Sequence, residues 1–432
     1  MARATLQRVD VQRLVDTWAR EASTRSGGVC TPMLEEFDFG FVAWVAPPPG
    51  VVAEPDSSAC HVIDRVSGKI VPWGSIPPAA VAEAYRRSRP PQGPPPVTAD
   101  PVASIRRAAT LGLGPTTAAH VMLPSERVLH IAYGAKGDQD LNHHPLVQQW
   151  LAALPHNQLN RGAPRHAELL GISDALHGHD AAIGRTTPLD EARQLFSNAV
   201  QYEVLRVSPV DGGRPAPSCH TCYRAEVHFR VWRTGVPGLI AEQERPQGVW
   251  YIGPAAPEDP NSLHREGRGR PNGALWSELP AELRAVLGTV EYTPAFAPDD
   301  PVRALLLAPR PGDRSPDVPA RRAIAERYEH LSYAGAAPGQ AYRRDGFVIS
   351  PRTVGDLHPA IAPYGARLGV PVLYPIGRTS ADGILVGDDR GRIFLIDQAG
   401  EWFVGSTIDE AVVSLVVGRA LPRLRDDGGW DY

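Results

Sequence analysis

The sequence predicts a chain of α/β plus α+β class, with a central three-layer α/β/α domain between two smaller α+β domains. The 432 residues suggest two to four domains, at roughly 100–200 residues each. Two stretches have the composition of linkers: residues 90–96 hold five prolines, and residues 253–272 are rich in proline, glycine and charge. The arrangement of helical and strand patterns changes across each of them. We therefore expect domains at residues 1–88, 97–250 and 273–425.

The composition is that of an ordinary globular protein, with 43% hydrophobic and 21% charged residues. A formal net charge of −4 argues against electrostatic binding of nucleic acid by the whole chain. Four cysteines in so long a chain indicate a reducing compartment rather than a disulfide framework. The first 16 residues carry scattered charges, unlike a signal peptide, and no stretch approaches the ~18 apolar residues that span a bilayer. We expect a cytoplasmic protein that makes no membrane contact.

The first domain is expected to form helix, strands and helix. Helical spacing and strand-forming residues predict these elements: a helix at 10–22, a strand at 37–45, a hairpin of strands 61–64 and 69–73, and a helix at 77–87. Residues 62–75, VIDRVSGKIVPWGS, resemble the YrhB-type immunity domains of bacterial toxin systems. The alternative is a small packing domain without a binding role.

The central segment carries 10 of the 14 histidines. Its patterns predict helices at 102–113 and 145–154, strands at 118–123, 127–133 and 201–207, and a strand-like run at 227–232. Two motifs stand at predicted helix starts, H-x-E at residues 166–168 and C-x-x-C at residues 219–222. This order of elements predicts the three-layer domain.

The two motifs together supply an imidazole, two thiols and a carboxylate. His166, Cys219 and Cys222 are ligands that zinc takes readily, and three protein ligands leave the fourth position for water, whose pKa the metal lowers to roughly 7. Glu168 follows His166 by two residues, so on the first helical turn its carboxylate can face that position without binding the metal. This separation of ligands from a proton shuttle is typical of zinc nucleobase deaminases.

These motifs resemble the cytidine-deaminase-like superfamily, in particular the YwqJ-type deaminases of bacterial toxin systems, over about residues 97–240. The resemblance implies that Glu168 is the proton shuttle and that His166, Cys219 and Cys222 hold Zn²⁺. One departure is Ser218, which stands directly before the first cysteine, where the superfamily often has proline. Cys219 also follows His166 by 53 positions, a long separation that implies an inserted loop over the site.

A structural zinc site is the alternative interpretation, and it needs a fourth ligand. Three nearby histidines are candidates for it: His177, His179 and His220. The other candidate residues are expected to lie outside the site: His143 and His144 as solvated loop histidines, and Cys30 and Cys60 as structural thiols. Arg165 could contact a phosphate of the substrate, although a surface arginine is the favoured interpretation.

The substrate is expected to contain a cytosine or adenine base, either free or in single-stranded nucleic acid. Residues 97–240 hold 13 Lys and Arg against 12 Asp and Glu, which provides no electrostatic track for a long polynucleotide. Five aromatic residues could stack a base, although a core role is favoured for them: Tyr133, Trp150, Phe196, Tyr202 and Tyr223.

The C-terminal patterns predict a helix within 318–333, strands at 346–350, 370–373, 384–386 and 393–396, a closing helix at 408–418 and a frayed end from residue 426. The runs YPIG at 374–377, DRGRIF at 389–394 and WFVGS at 402–406 resemble the third subgroup of the SUKH superfamily. That resemblance implies an immunity or protein-binding fold without catalytic residues, and hence a protein partner.

Three functions remain open from these observations. The first is a zinc-dependent nucleobase deaminase whose flanking domains bind or restrain it. The second is a cytoplasmic immunity or binding protein in which the deaminase-like domain is an inactive scaffold. The third is a structural module that zinc stabilises.

Overall fold

The structure, a computed structural model, describes most of the chain outside residues 232–315. The described residues are 6–48, 50, 60–66, 68, 70–88, 96–111, 114–123, 128–199, 201–207, 214–231, 281, 316, 318–328, 331–333, 337–351, 354 and 357–431. The predicted linker at 253–272 lies outside them. Within this part of the chain no helix is long and apolar enough to cross a membrane. Helices and sheets are mixed throughout, in agreement with the predicted class.

The N-terminal unit is a four-stranded antiparallel sheet with helices on both faces. Its elements are α1 (Arg8–Ser26), β1 (Thr31–Phe37), β2 (Gly40–Ala46), β3 (His61–Asp64), β4 (Ile70–Pro72), α2 (Pro78–Ser88) and α3 (Pro101–Leu111). Along β2, Phe41 packs with α1 and α3, whereas its neighbour Val42 packs with α2. This alternation follows from the two-residue period of a strand. Helix α3 therefore belongs to the N-terminal core although it follows the proline-rich stretch.

One strand prediction in this unit is wrong. The run at 37–45 is not a single strand, because β1 ends at Phe37 and β2 begins at Gly40. A Cβ atom at Gly40 would overlap the carbonyl oxygen of Ile63 on the neighbouring strand, so the close approach requires glycine. The apolar character of Phe37, Phe39 and Phe41 obscured this turn, since all three resemble strand residues.

The middle unit has a three-stranded antiparallel sheet in the order β6-β5-β7. Its elements are β5 (Thr117–Leu123), β6 (Val128–Tyr133), α4 (Pro145–Ala152), α5 (Ala167–Ile183), α6 (Leu189–Ser197), β7 (Gln201–Arg206) and α7 (His220–Phe229). Helix α5 crosses β5 and β6, where Gly171 allows it to approach Ala119 and Val121 closely. Helices α4 to α7 share one core with this face of the sheet.

Only one helical layer of the predicted three-layer arrangement is present among the described residues. On the opposite face of the middle sheet, the Tyr133 phenol hydrogen-bonds the backbone of Ile70 in the N-terminal sheet, and burial raises its pKa. The strand-like run at 227–232 is also a wrong prediction, because Val227 and Phe229 continue α7. Phe229 packs edge-on against Phe196 of α6, a contact that local alternation does not reveal. Trp232 lies outside the described residues.

The C-terminal unit is an eight-stranded antiparallel sheet in the order β15-β14-β13-β12-β11-β10-β9-β8. Its elements are α8 (Pro319–Tyr328), β8 (Leu331–Tyr333), β9 (Phe347–Ile349), α9 (His358–Ile361), α10 (Tyr364–Leu368), β10 (Leu373–Thr379), β11 (Ile384–Asp388), β12 (Ile393–Ile396), β13 (Glu401–Gly405), α11 (Ile408–Val417), β14 (Arg423–Leu424) and β15 (Trp430–Asp431). Helices α8 and α11 pack on one face, and α9 and α10 pack on the other.

The helix predicted within 318–333 is confirmed as α8, which ends at Tyr328 before β8. Two other predictions in this unit need correction. The strand predicted at 370–373 begins only at Leu373. The predicted frayed end is ordered, because β14 and β15 pair and the backbone N–H of Asp426 donates to the Asp138 carboxylate of the middle unit at 2.8 Å. Such tertiary contacts order a polar terminus that its composition would leave loose.

Candidate metal centre

Helix α5 begins at the first motif. His166 is its N-cap residue, with extended backbone angles of φ −75° and ψ 142°, and Glu168 is the second residue of its first turn. The preceding short 3-10 helix, Ala163–Arg165, contains Pro164 and turns the chain into α5. A carboxylate in the first turn of a helix also interacts favourably with the helix dipole. The H-x-E motif thus places the His166 imidazole and the Glu168 carboxylate at the start of the same helix.

Helix α7 begins at the second motif. Cys219 is its N-cap, and the Cys219 sulfur accepts a hydrogen bond from the backbone N–H of Cys222 at 3.4 Å. The three-residue spacing brings Cys222 back to the same side of the first turn as Cys219. Helices α5 and α7 contact each other, so the two helix starts meet.

The two motifs converge on one point. His166 Nδ1 lies 3.4 Å from Cys219 Sγ and 3.4 Å from Cys222 Sγ. The three ligand atoms all lie within 4.8 Å of one another, which makes this a group that could hold a metal ion. Zn–N and Zn–S bonds of ordinary length in a tetrahedron put nitrogen and sulfur about 3.6 Å apart. The donor set and its spacing therefore fit zinc.

The ionisation of the three groups depends on their proximity. Burial acts to lower the pKa of His166, but the neighbouring Cys219 thiolate raises it to about 9. Burial acts to raise the pKa of Cys219, but hydrogen bonding from Cys222 and the charge of His166 lower it to about 7. Burial and the Cys219 sulfur raise the pKa of Cys222 well above its ordinary value. Without metal, the site is thus an imidazolium–thiolate pair beside a neutral thiol.

Glu168 lies beside this group and is completely buried. Its Oε1 accepts a hydrogen bond from Ser218 Oγ at 3.2 Å, and its Oε2 accepts one from Gln398 Nε2 at 3.3 Å. Gln398 comes from the C-terminal unit. The predicted shuttle residue is therefore in contact with an element that was assigned to another domain.

Ser218 connects two buried carboxylates. Its hydroxyl lies 2.7 Å from Glu226 Oε1 and 3.2 Å from Glu168 Oε1. Tyr202 also donates to Glu226 Oε1, at 3.1 Å. A serine hydroxyl has one proton, so it donates to one carboxylate at a time. Ser218 stands where the superfamily often has proline, and its hydroxyl links Glu168 to Glu226. A proline has no hydroxyl and could not form this link.

Asn160 holds the start of α7 in place, and sequence patterns gave no indication of it. Its Oδ1 accepts hydrogen bonds from the backbone N–H and the hydroxyl of Thr221, at 2.7 and 2.8 Å. Its own N–H donates to the Thr221 hydroxyl at 2.8 Å, and its Nδ2 donates to Asp345 of the C-terminal unit. Only the fold brings Asn160 to Thr221, which lies 61 residues further on.

The candidate fourth ligands do not join the group. His177 Nε2 hydrogen-bonds the carbonyl of Asn142 at 3.0 Å, and His179 lies 3.8 Å from Glu191. Burial, with Arg343 and Arg224 nearby, lowers the pKa of His220 to about 4. Among the described residues, His166, Cys219 and Cys222 form the only cluster of three or more side chains that could hold a metal ion.

His143 and His144 are not solvated loop residues, which corrects the prediction. Both are buried, and they hydrogen-bond the carbonyl of Pro164 and the carboxylate of Asp180 at 2.7 and 2.9 Å. Arg165 donates to the carbonyls of Ala135 and Gln139, a structural role rather than a free surface one. Four of the aromatic candidates are buried, as expected for core residues: Trp150, Phe196, Tyr202 and Tyr223.

Comparison with known proteins finds family models that match two segments of the chain, one towards each end. Residues 10–93 match the model of the Immunity protein 35-like domain. Residues 310–418 match the model of the SUKH-3 immunity protein. No curated protein and no solved structure matches the chain.

The matches confirm immunity-type domains at both ends and support a role in toxin-system immunity. The SUKH resemblance is confirmed in its third subgroup. At the N-terminus the matched family is the Immunity protein 35-like domain, so the finer YrhB-type resemblance stays a prediction. No deaminase-like family model matches the middle unit, and the roles of His166, Glu168, Cys219 and Cys222 stay predictions.

Proposed function

We propose that the middle unit is a zinc-dependent hydrolytic deaminase of a nucleobase, carried between two immunity-type domains. One observation carries the proposal: His166 Nδ1 lies 3.4 Å from both Cys219 Sγ and Cys222 Sγ, with Glu168 on the first turn of the helix that His166 caps. This is the arrangement of three ligands and one acidic residue on which zinc deaminases rely.

His166, Cys219 and Cys222 would hold the zinc ion. When bound there, zinc would supply Lewis acidity and a water of lowered pKa. The pKa of about 7 for Cys219 favours its thiolate as a metal ligand at neutral pH, whereas His166, with a pKa of about 9, must release its proton when metal binds.

Glu168 would move the protons of the reaction. Deamination replaces the exocyclic C–N bond of a cytosine or adenine base by a C=O bond, consumes one water and releases ammonia. A proton must leave the water, reach a ring nitrogen and later help to expel ammonia. A carboxylate within hydrogen-bond distance of both the water and the base can accept and donate that proton. Gln398 donates a hydrogen bond to one oxygen of this carboxylate, and the Ser218 hydroxyl, which Glu168 shares with Glu226, lies 3.2 Å from the other.

Metal content and ammonia release test the proposal together. The parent chain, Glu168→Gln and Glu203→Gln are assayed with a panel of nucleosides, nucleotides and single-stranded oligonucleotides. Glu203 lies on β7, and its carboxylate accepts a hydrogen bond from Gln201, so Glu203→Gln is the matched control. We expect one zinc in all three proteins and ammonia from the parent and the control only. Ammonia release by Glu168→Gln at the parental rate would exclude the assigned role of Glu168.

A second function is favoured by the burial of the site. His166, Glu168, Cys219 and Cys222 are exposed by 2%, 0%, 4% and 0%, so the site is closed in this structure. An immunity or binding protein would retain the middle unit as a scaffold, with zinc as a structural ion, and would bind a protein partner through the domain at residues 310–418. This function predicts bound zinc but no ammonia from any variant, including variants in which the site is opened. The cytoplasmic location is part of both proposals.

A further inference from the structure

The turn between β12 and β13, residues 397–400, projects from the C-terminal unit into the middle unit. Asp397 shapes this turn, because its Oδ1 accepts the backbone N–H groups of Ala399 and Gly400 at 2.9 and 3.0 Å. The backbone N–H of Asp397 also donates to the carbonyl of Gly400 at 3.0 Å. The turn is thus internally bonded, and it presents the side chain of Gln398 in one orientation.

Gln398 uses both ends of its carboxamide at the start of α5. Its Oε1 accepts the backbone N–H of Ala167 at 3.0 Å, and its Nε2 donates to Glu168 Oε2 at 3.3 Å. Ala167 and Glu168 are the two residues that follow the ligand His166. The first N–H groups of a helix have no partner within the helix, so a side-chain acceptor there is stabilising.

Two glycines of the middle unit make room for the turn. A Cβ atom on Gly134 would lie 2.8 Å from the carbonyl oxygen of Gln398. A Cβ atom on Gly162 would overlap the Cβ of Ala399. The turn at 397–400 therefore packs closely against the middle unit at Gly134 and at Gly162.

Ion pairs hold the C-terminal unit in this position. Arg107 of α3 lies 2.8 Å from Glu401, the residue that follows the turn, and both side chains are buried. Farther from the site, Arg206 of β7 binds Asp382 with two hydrogen bonds of 2.7 Å. Bidentate arginine–carboxylate pairs are specific in geometry as well as strong.

We propose that residues 397–400 form an intramolecular cap that closes the site and lowers the activity of the deaminase while the C-terminal unit is docked. The cap rests on the proposed function for its effect on activity, whereas its effect on access to the site is independent of catalysis. A base must approach the Glu168 carboxylate to exchange protons with it. That carboxylate already accepts hydrogen bonds from Ser218 and Gln398, and the Gln398 carboxamide occupies the approach from the C-terminal side. Undocking of the C-terminal unit removes the whole turn.

Access to the two thiols measures the cap without any enzymatic assay. The reduced, metal-free full chain is treated with N-ethylmaleimide, and peptide mass spectrometry follows Cys219 and Cys222 separately from Cys30 and Cys60. We expect Gln398→Ala to increase the labelling rate of Cys219 and Cys222 about tenfold, since two hydrogen bonds hold the turn in place. Gln340→Ala, at an exposed glutamine of the same unit, is the matched control and leaves the rate unchanged.

A second variant opens the site from a distance. Arg206→Ala removes the bidentate pair with Asp382, and we expect it too to increase labelling of Cys219 and Cys222. Arg185→Ala removes an ion pair inside the middle unit, in which Arg185 Nη2 donates to both carboxylate oxygens of Glu191, so it controls for the loss of an arginine–carboxylate pair. Unchanged labelling in both Gln398→Ala and Arg206→Ala would overturn the cap.

Ammonia release from the nucleoside and oligonucleotide panel then separates the two proposals. Higher ammonia release by Gln398→Ala and Arg206→Ala than by the parent supports both the cap and the deaminase. Faster labelling with no ammonia from any variant supports the closure of the site and contradicts the deaminase. A loss of parental activity in Gln398→Ala would assign the carboxamide to substrate binding and overturn the cap.

Discussion

The carboxamide of Gln398 donates a hydrogen bond to the carboxylate of Glu168 at 3.3 Å, across 230 residues of chain. One residue lies in the unit that matches an immunity family, and the other is the predicted proton shuttle of the middle unit. The C-terminal unit is therefore part of the wall of the candidate site. The middle unit in isolation would lack Gln398, a side chain that contacts the Glu168 carboxylate.

Zinc binding is expected to release about two protons at pH 8. Between the pKa of Cys219, about 7, and that of His166, about 9, the metal-free site holds one proton on His166 and one on Cys222. Because zinc binds the deprotonated groups, its affinity falls as the pH falls through 9, and falls more steeply below 7, where Cys219 also takes up a proton. Calorimetry in buffers of different ionisation enthalpy measures the release. A release near zero would contradict binding by these three groups.

Loss of the Glu401 charge is expected to destabilise the docked unit strongly. Glu401 is fully buried 2.8 Å from Arg107, with Lys136 at 3.8 Å and Arg367 at 3.9 Å. Glu401→Gln removes the one buried charge that all three cations share and leaves Arg107 and Arg367 with only the more exposed Asp426. Breaking a buried pair in this way typically costs about 3–5 kcal/mol in the free energy of unfolding. Chemical denaturation measures this loss.

Glu191→Gln is the control for that substitution. It makes the same chemical change in the more exposed Arg185–Glu191 pair, which should cost no more than about 1 kcal/mol. Equal losses in the two variants would show that the buried group contributes no more than a surface pair.

Gly162→Ala is expected to loosen the contact with the turn at 397–400. Gly162 has a φ of +66°, and a Cβ there would overlap Ala399. Gly184→Ala is the control, because Gly184 has a φ of +72° with nothing within 4 Å of its Cβ position. Both variants bear the cost of a left-handed alanine, about 1–2 kcal/mol. Only Gly162→Ala should also speed hydrogen exchange at Ala167. Equal exchange in both variants would contradict the close packing of the turn.

Asn160→Ala is expected to weaken zinc binding about 10-fold to 100-fold, as is usual when residues that orient metal ligands are changed. The substitution removes the two hydrogen bonds that hold Thr221 between Cys219 and Cys222. Competition with a chromophoric chelator measures the dissociation constant of zinc. Asn198→Ala removes an asparagine that bonds only within its own helix end, to the carbonyl of Gln194, and should leave zinc affinity unchanged. Equal affinities in the two variants would exclude a role for Asn160.

Much of the candidate site was predictable because its motifs are local. The H-x-E and C-x-x-C spacings place their side chains on first helical turns, and both motifs do begin helices. Helix α6 was missed, because Leu189–Ser197 is short and half polar. His143 and His144 were misjudged since their polarity suggested solvent, whereas Pro164 and Asp180 satisfy their ring nitrogens in the interior.

The sequence by itself determined the two motifs, the order of most helices and strands, and the immunity-type resemblance at the C-terminus. These depend on spacing and residue type within a few turns or strands, which a linear pattern records. Only the tertiary structure decided that His166 Nδ1 meets both sulfurs at 3.4 Å and that Gln398 reaches Glu168. Those contacts join residues 53, 56 and 230 positions apart. Packing of α5 against α7 brings the first two together and packing between units brings the third, and no local pattern records either kind of packing.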